Sequence, residues 1–154
     1  MNRNLLFLFF FLASISAINA VPLQFNKRTT TFVACPPIPG NPIDISNVTT
    51  LAVTVVPDPI SSNQNVTFTM SGIAKENIPT NSSIVVGYTD PSGYVIGKPF
   101  VTDFCGDGDS CPVKKGDTFN RTVTAEAPTL PQNYNVITEF GPTNAVYACA
   151  EAKV

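Results

Sequence analysis

From about residue 49 onward, apolar side chains recur at every second position in short runs, and each run is closed by proline, glycine, asparagine or aspartate. "TTLAVTVVPDP" puts Leu51, Val53 and Val55 on one face, "NVTFTMSG" does so with Val66, Phe68 and Met70, and "SSIVVGYTD" with Ile84, Val86 and Tyr88. A period of two is the signature of a strand with one buried face. The pattern continues in "TFNRTVTA" with Phe119 and Val123, in "NYNVITEF" with Tyr134, Val136 and Phe140, and in "NAVYACA" with Tyr147 beside Cys149. "TTTFVAC" and "GYVIGKPF" add two more candidate strands. Short strands at this spacing, separated by turn residues, predict an all-β sandwich rather than helices on a sheet.

The sequence carries its own test of which face is outside. Asn-x-Ser/Thr acceptors must reach solvent, and they stand at Asn47, Asn65, Asn81 and Asn120. Asn65 shares parity with Thr67 and Thr69, against Phe68 and Met70, while Asn120 shares parity with Thr122 and Thr124, against Phe119 and Val123. Both agree with the proposed inner faces. Arg121 is the exception: an inward-parity charge that needs a sheet edge or a lipid-facing mouth to be tolerated.

Arg3 precedes the apolar run "LLFLFFFLASISAI", and the small-residue stretch "INAVP" follows it. This run is shorter than the roughly 20 residues that span a bilayer, so residues 1–20 read as a secretory signal peptide cut after Ala20. Residues 21–29 form an N-terminal segment whose "NKR" offers a dibasic processing site, and residues 30–154 form one domain. The secretory pathway, ending in a vacuole or lysosome-like lumen or outside the cell, makes disulfides the default state of the four cysteines. Three pairings are possible. The two glycines and short spacing of "CGDGDSC" favour Cys105 with Cys111, which leaves Cys35 for Cys149 and clips the start of the domain to its end.

Charge and residue inventory then narrow the function. A net charge of −2, which becomes more negative once Arg3 leaves with the leader, argues against nucleic acid as a partner. There is no histidine, the cysteine spacing does not suit zinc, and "DFCGDGDS" lacks the twelve-residue calcium loop, so no metal or cofactor is expected. Without histidine or a free thiol, and with carboxylates scattered on turns, no nucleophile and base stand together and no enzyme is expected.

The early "ACP", "VVPDPISSNQNVTFTMSGIA", "DFC" followed by "CPVKKGDTF", a strand with Tyr134, Val136 and Phe140 after a proline, and the closing "VYACA" together resemble the ML family of lipid-recognition domains. Its members include the lysosomal sterol carrier of Niemann–Pick type C disease and fungal phosphatidylglycerol/phosphatidylinositol transfer proteins. The resemblance implies an immunoglobulin-like two-sheet antiparallel sandwich with an apolar cavity between the sheets, and it supports the pairing Cys105–Cys111 and Cys35–Cys149. The animal sterol carriers have a further disulfide near the first strand, for which this chain has no cysteines, so the fungal phospholipid carriers are the nearer likeness.

Carried over residue by residue, the resemblance places Phe100 at the cavity mouth, with Pro128, Leu130 and Tyr134 on the facing loop. The deeper walls fall to Val53, Val55, Phe68, Met70, Val86, Phe119, Val123, Val136 and Phe140. Those residues alone would equally make the core of any sandwich, so the resemblance and not the periodicity argues for a cavity. The expected function is carriage of phospholipid between membranes by a monomer that touches the bilayer transiently, with Lys98, Lys114 and Lys115 near the mouth to attract anionic headgroups. Sterol binding is the alternative ligand class, and a solid-cored protein-interaction module is the alternative from another class.

Overall fold

The computed structural model describes residues 29–36, 48–106, 110–142 and 145–154, and these form two facing β-sheets. The strands are β1 (Phe32–Ala34), β2 (Thr49–Thr50), β3 (Ala52–Val56), β4 (Asn65–Ile73), β5 (Ser83–Thr89), β6 (Phe100–Asp103), β7 (Thr118–Glu126), β8 (Asn135–Gly141) and β9 (Ala148–Lys153). One sheet runs β1-β9-β8-β5-β6, with β2 also on β9, and the other runs β3-β4-β7. Pairing is antiparallel except for the short parallel contact of Thr49 and Thr50 with Ala148 and Cys149. Alternation in the sequence thus yields the sandwich it predicts, with Val66, Phe68 and Met70 buried and Thr67 and Thr69 turned outward. On that outer face the threonines of β4 and β7 bond across the strands, Thr67 to Thr124 at 3.0 Å and Thr69 to Thr122 at 3.3 Å.

Two strands differ from expectation. "TTLAVTVV" is not one strand: Thr49 and Thr50 pair with β9, the chain then crosses to the other sheet at buried Leu51, and Ala52–Val56 pairs with β4. The Thr49 hydroxyl secures the crossing by donating to the Ile73 carbonyl and accepting from the Lys75 amide. "GYVIGKPF" is mostly loop, and β6 begins only at Phe100. Gly93 and Gly97 lie at positive φ and Pro99 lacks an amide to donate, so the segment turns instead of extending.

The long-range disulfide follows from register. Ala34 faces Ala150, so one step further along each strand brings Cys35 to Cys149, with Cα atoms 5.6 Å apart. Cys105 and Cys111 close the loop between β6 and β7, with Cα atoms 5.9 Å apart. Asn65, Asn81 and Asn120 are exposed. The leader, the "NKR" stretch and Asn47 lie outside the described residues.

Candidate lipid-binding site

Of the residues singled out as cavity wall or mouth, all but half-buried Pro128 belong to or pack against one continuous buried cluster. Val55, Phe68, Met70, Val86, Phe119, Tyr134, Val136 and Phe140 belong to that cluster, and half-buried Val53, Phe100, Val123 and Leu130 pack against it. They come from both sheets because the strands alternate: Val53, Val55, Phe68, Met70, Phe119 and Val123 on the three-stranded sheet face Val86, Val136 and Phe140 on the larger one.

The two ends of this interior are built differently. At one end the rings of Phe104, Phe119 and Phe140 pack together, Phe119 edge to face with the other two, with ring centroids 4.7 to 5.9 Å apart. Phe104 was not among the expected residues; its position directly before Cys105, where the disulfide fixes the backbone, is the only signal the sequence offers for it. Arg121 lies here, only 8% exposed, on β7 at the edge of its sheet. Its guanidinium covers the Phe104 ring at 4.4 Å, and its nitrogens donate to the carbonyls of Phe104 (2.9 Å), Asn120 (2.9 Å) and Ser110 (3.3 Å). The inward charge is therefore at a sheet edge, as its tolerance requires, and it braces the disulfide loop.

At the other end three loops converge. The Asn63 amide donates to the Ala127 carbonyl at 2.9 Å, and the Leu130 amide to the Ser62 hydroxyl at 2.9 Å, tying the β3–β4 loop to the β7–β8 loop. The β5–β6 loop closes on the same place: a Cβ on Gly97 would stand 2.7 Å from the Pro128 Cβ. The two segments expected to face each other across a mouth thus touch. Tyr88 and Tyr134 lie beneath them with ring centroids 6.3 Å apart. Around this rim Tyr94 (75%), Val56 (68%) and Val95 (61%) are exposed.

The expected lysines do not gather there. Lys98 is on the β5–β6 loop, but Lys114 and Lys115 precede β7, where the Lys115 amide donates to the Asn77 side chain and Val113 pairs with Ile78. Pro128 follows the opposite end of β7, a nine-residue strand, so those two lysines are about 27 Å from the rim. Sequence proximity to "CPVKKG" was a poor guide because the strand that follows runs the length of the sandwich.

A further depression opens along the side, where the free edges of β1 and β3 meet. It has a volume of about 490 Å³, and Phe32, Leu51 and Val53 come to its surface among threonines. Thr30 forms its lip and is held by Asp58, whose carboxylate accepts from the Thr30 amide and, at 2.8 Å, from its hydroxyl.

A family model described as the ML domain matches residues 29–154. The chain belongs to the ML domain family. The ML fold is seen again in a solved structure of a Niemann–Pick type C2 protein from the Japanese carpenter ant, which is 17% identical, with a TM-score of 0.55 over 80% of this chain and 96% of that one. Two structures of β-glucuronidase 2 from Bacteroides uniformis overlap 73% of this chain and 14% of theirs at 15% identity, with a TM-score of 0.38. No curated protein matches the sequence.

ML domains are lipid-recognition domains, and the interior of this one is lined by apolar side chains. Both disulfides consume the cysteines, leaving no free thiol. Among the described residues, no group of three acids or cysteines is placed to hold a metal ion. Among the described residues, the pKa values of two ionisable groups are shifted by the protein. Burial, and secondarily Tyr134, raises the Tyr88 hydroxyl far above the ordinary tyrosine range, while burial alone raises the Glu139 carboxyl on β8.

Proposed function

We propose that this ML domain is a carrier that takes a phospholipid from one membrane, holds its acyl chains between the two sheets, and delivers it to another. The observation that carries the reading is the ML match over residues 29–154, the whole of the expected domain. Solvent exclusion supplies the mechanism. Each methylene hidden from water is worth about 0.8 kcal/mol, so an apolar interior can shelter a chain without a covalent step. The rim formed by the β3–β4, β5–β6 and β7–β8 loops is the proposed mouth. Its exposed Val56, Tyr94 and Val95 would touch the bilayer, with Lys98 beside them for an anionic headgroup. The side depression at Val53 is the competing entrance.

A sterol is the alternative guest in the same interior. Secretion, attachment of glycan at the exposed asparagines, and action as a monomer belong to the same proposal. Native mass spectrometry of the secreted, deglycosylated protein, followed by organic extraction, tests it. A phospholipid at near-equal stoichiometry is the expected result, and a sterol would change the ligand class. An empty protein that also takes no labelled lipid from vesicles would overturn the carrier reading in favour of a solid-cored interaction module.

A further inference from the structure

Tyr88 points into the interior from β5, is 3% exposed, and its hydroxyl has no hydrogen-bond partner. A buried donor in this condition costs about 1–3 kcal/mol, a penalty that phenylalanine at the same position would not incur. The other such hydroxyl among the described residues, that of Ser82, lies at the opposite end in the turn entering β5, with its backbone bonded to Pro79 and Phe104. Tyr88 lies instead at the loop-lined end. The Ile96 amide donates to its carbonyl at 2.8 Å, so the β5–β6 loop folds directly over it, and Tyr134 is its aromatic neighbour. Tyr134 has an outlet of its own, donating to the Ile60 carbonyl at 3.4 Å. The facing sheet presents small or branched apolar groups at this end, Val66 paired with Ala125, which offer Tyr88 no acceptor.

We propose that the Tyr88 hydroxyl is a specificity-determining hydrogen-bond donor of the lipid site, reserved for one acceptor oxygen of an otherwise apolar guest just below the rim. This rests on the carrier reading. The raised pKa of Tyr88 keeps the hydroxyl protonated at physiological pH, so it donates a hydrogen bond and selects ligands with an oxygen that can accept one. Two lipid oxygens have that chemistry: the ester carbonyl at the root of an acyl chain and the hydroxyl of a sterol. The donor fixes how deep such a lipid slides, because moving the oxygen further in or out would leave the hydroxyl unsatisfied again.

The test uses neutral phosphatidylcholine vesicles doped with one probe at a time: diacyl or dialkyl-ether phosphatidylglycerol of equal chain length, and cholesterol or cholestane. Each pair differs in the acceptor oxygen. Wild-type protein should prefer the oxygen-bearing member of one pair by about tenfold, and that pair identifies the source of the oxygen. Tyr88→Phe should bring that ratio close to one while keeping the thermal midpoint at or above that of wild type. If Tyr88→Phe takes up lipid with the wild-type ratio, or wild type shows no preference in either pair, the donor role is overturned and the carrier reading stands. A lowered midpoint with an unchanged ratio would show a structural hydroxyl and likewise overturn it. Should wild type take up none of the four probes, carrier and donor fall together.

Discussion

Gly97→Ala offers the sharpest test of the seam between the two rim loops. Gly97 has φ +69°, and an added Cβ would stand 2.7 Å from the Pro128 Cβ and 3.2 Å from its Cγ. A left-handed backbone costs a non-glycine residue about 1 kcal/mol, and forcing a methyl against a rigid proline ring adds about 1–3 kcal/mol. For a domain of this size each kcal/mol lowers Tm by about 4 °C, so the substitution should cost roughly 8–16 °C. Pro128→Gly removes the obstructing Cβ but leaves the backbone strain, so Gly97→Ala in that background should cost only about 4 °C. Thermal unfolding of the four proteins in this cycle reads the difference directly. Wedging the loops apart should also speed transfer of a fluorescent phospholipid between vesicles. Equal losses of Tm in both backgrounds would refute the contact, and an unchanged transfer rate would refute its role as a gate.

Phe100→Asp puts a charge on a half-buried residue at the start of an edge strand; it should cut lipid uptake about tenfold while the fold survives, as circular dichroism would show, whereas the same change at Val53 tests the side entrance. Glu139 has a native pKa raised by burial, so the native state holds this proton more tightly than the unfolded chain does. Its contribution to stability is full below its ordinary value of 4.5 and is lost as pH rises through the native value; Glu139→Gln should flatten that fall in a series of Tm measurements between about pH 4 and pH 7. Replacing Cys35 and Cys149 with alanine opens a loop closed across 114 positions, which should cost about 4–5 kcal/mol in urea unfolding.

The parts of this fold that sequence reveals are those governed by period two. Phe68 against Thr69 and Phe119 against Asn120 declare their faces because a strand has only two, and the polar partner in each pair must reach water. Sheet membership is another matter. The alternation of Leu51, Val53 and Val55 continues unbroken through the place where the chain leaves one sheet for the other, since both sheets bury the same face. The loop at Gly93–Pro99 was hidden by Tyr94, Val95 and Ile96, which read as strand; the backbone at Gly93 and Gly97 overrode them. Family likeness proposed Phe100, Pro128, Leu130 and Tyr134 for the mouth, whereas Phe104 and the isolation of the Tyr88 hydroxyl depend on contacts between strands remote in sequence. No local pattern encodes those.

The contrast between the two ends bears on how a lipid would enter. At the Phe104 end, the chain is held by a covalent bond, by three packed rings and by a buried guanidinium that donates to three carbonyls. Opening it would strand a charge in an apolar interior, at a cost of several kcal/mol. The loops at the Tyr88 end are joined by neutral hydrogen bonds, Asn63 to Ala127 and Leu130 to Ser62, and by the contact of Gly97 with Pro128. Each such bond contributes about 1 kcal/mol net. Burying an exposed valine or tyrosine in a bilayer returns about 1.5–3 kcal/mol per side chain, and this rim carries Val56, Tyr94 and Val95. Insertion of the rim, if this is the face that meets the bilayer, would therefore release as much free energy as parting the loops consumes. On the carrier reading, the loop contacts would keep the domain shut in water and the three exposed side chains would let it open at a membrane, with no need for a separate trigger.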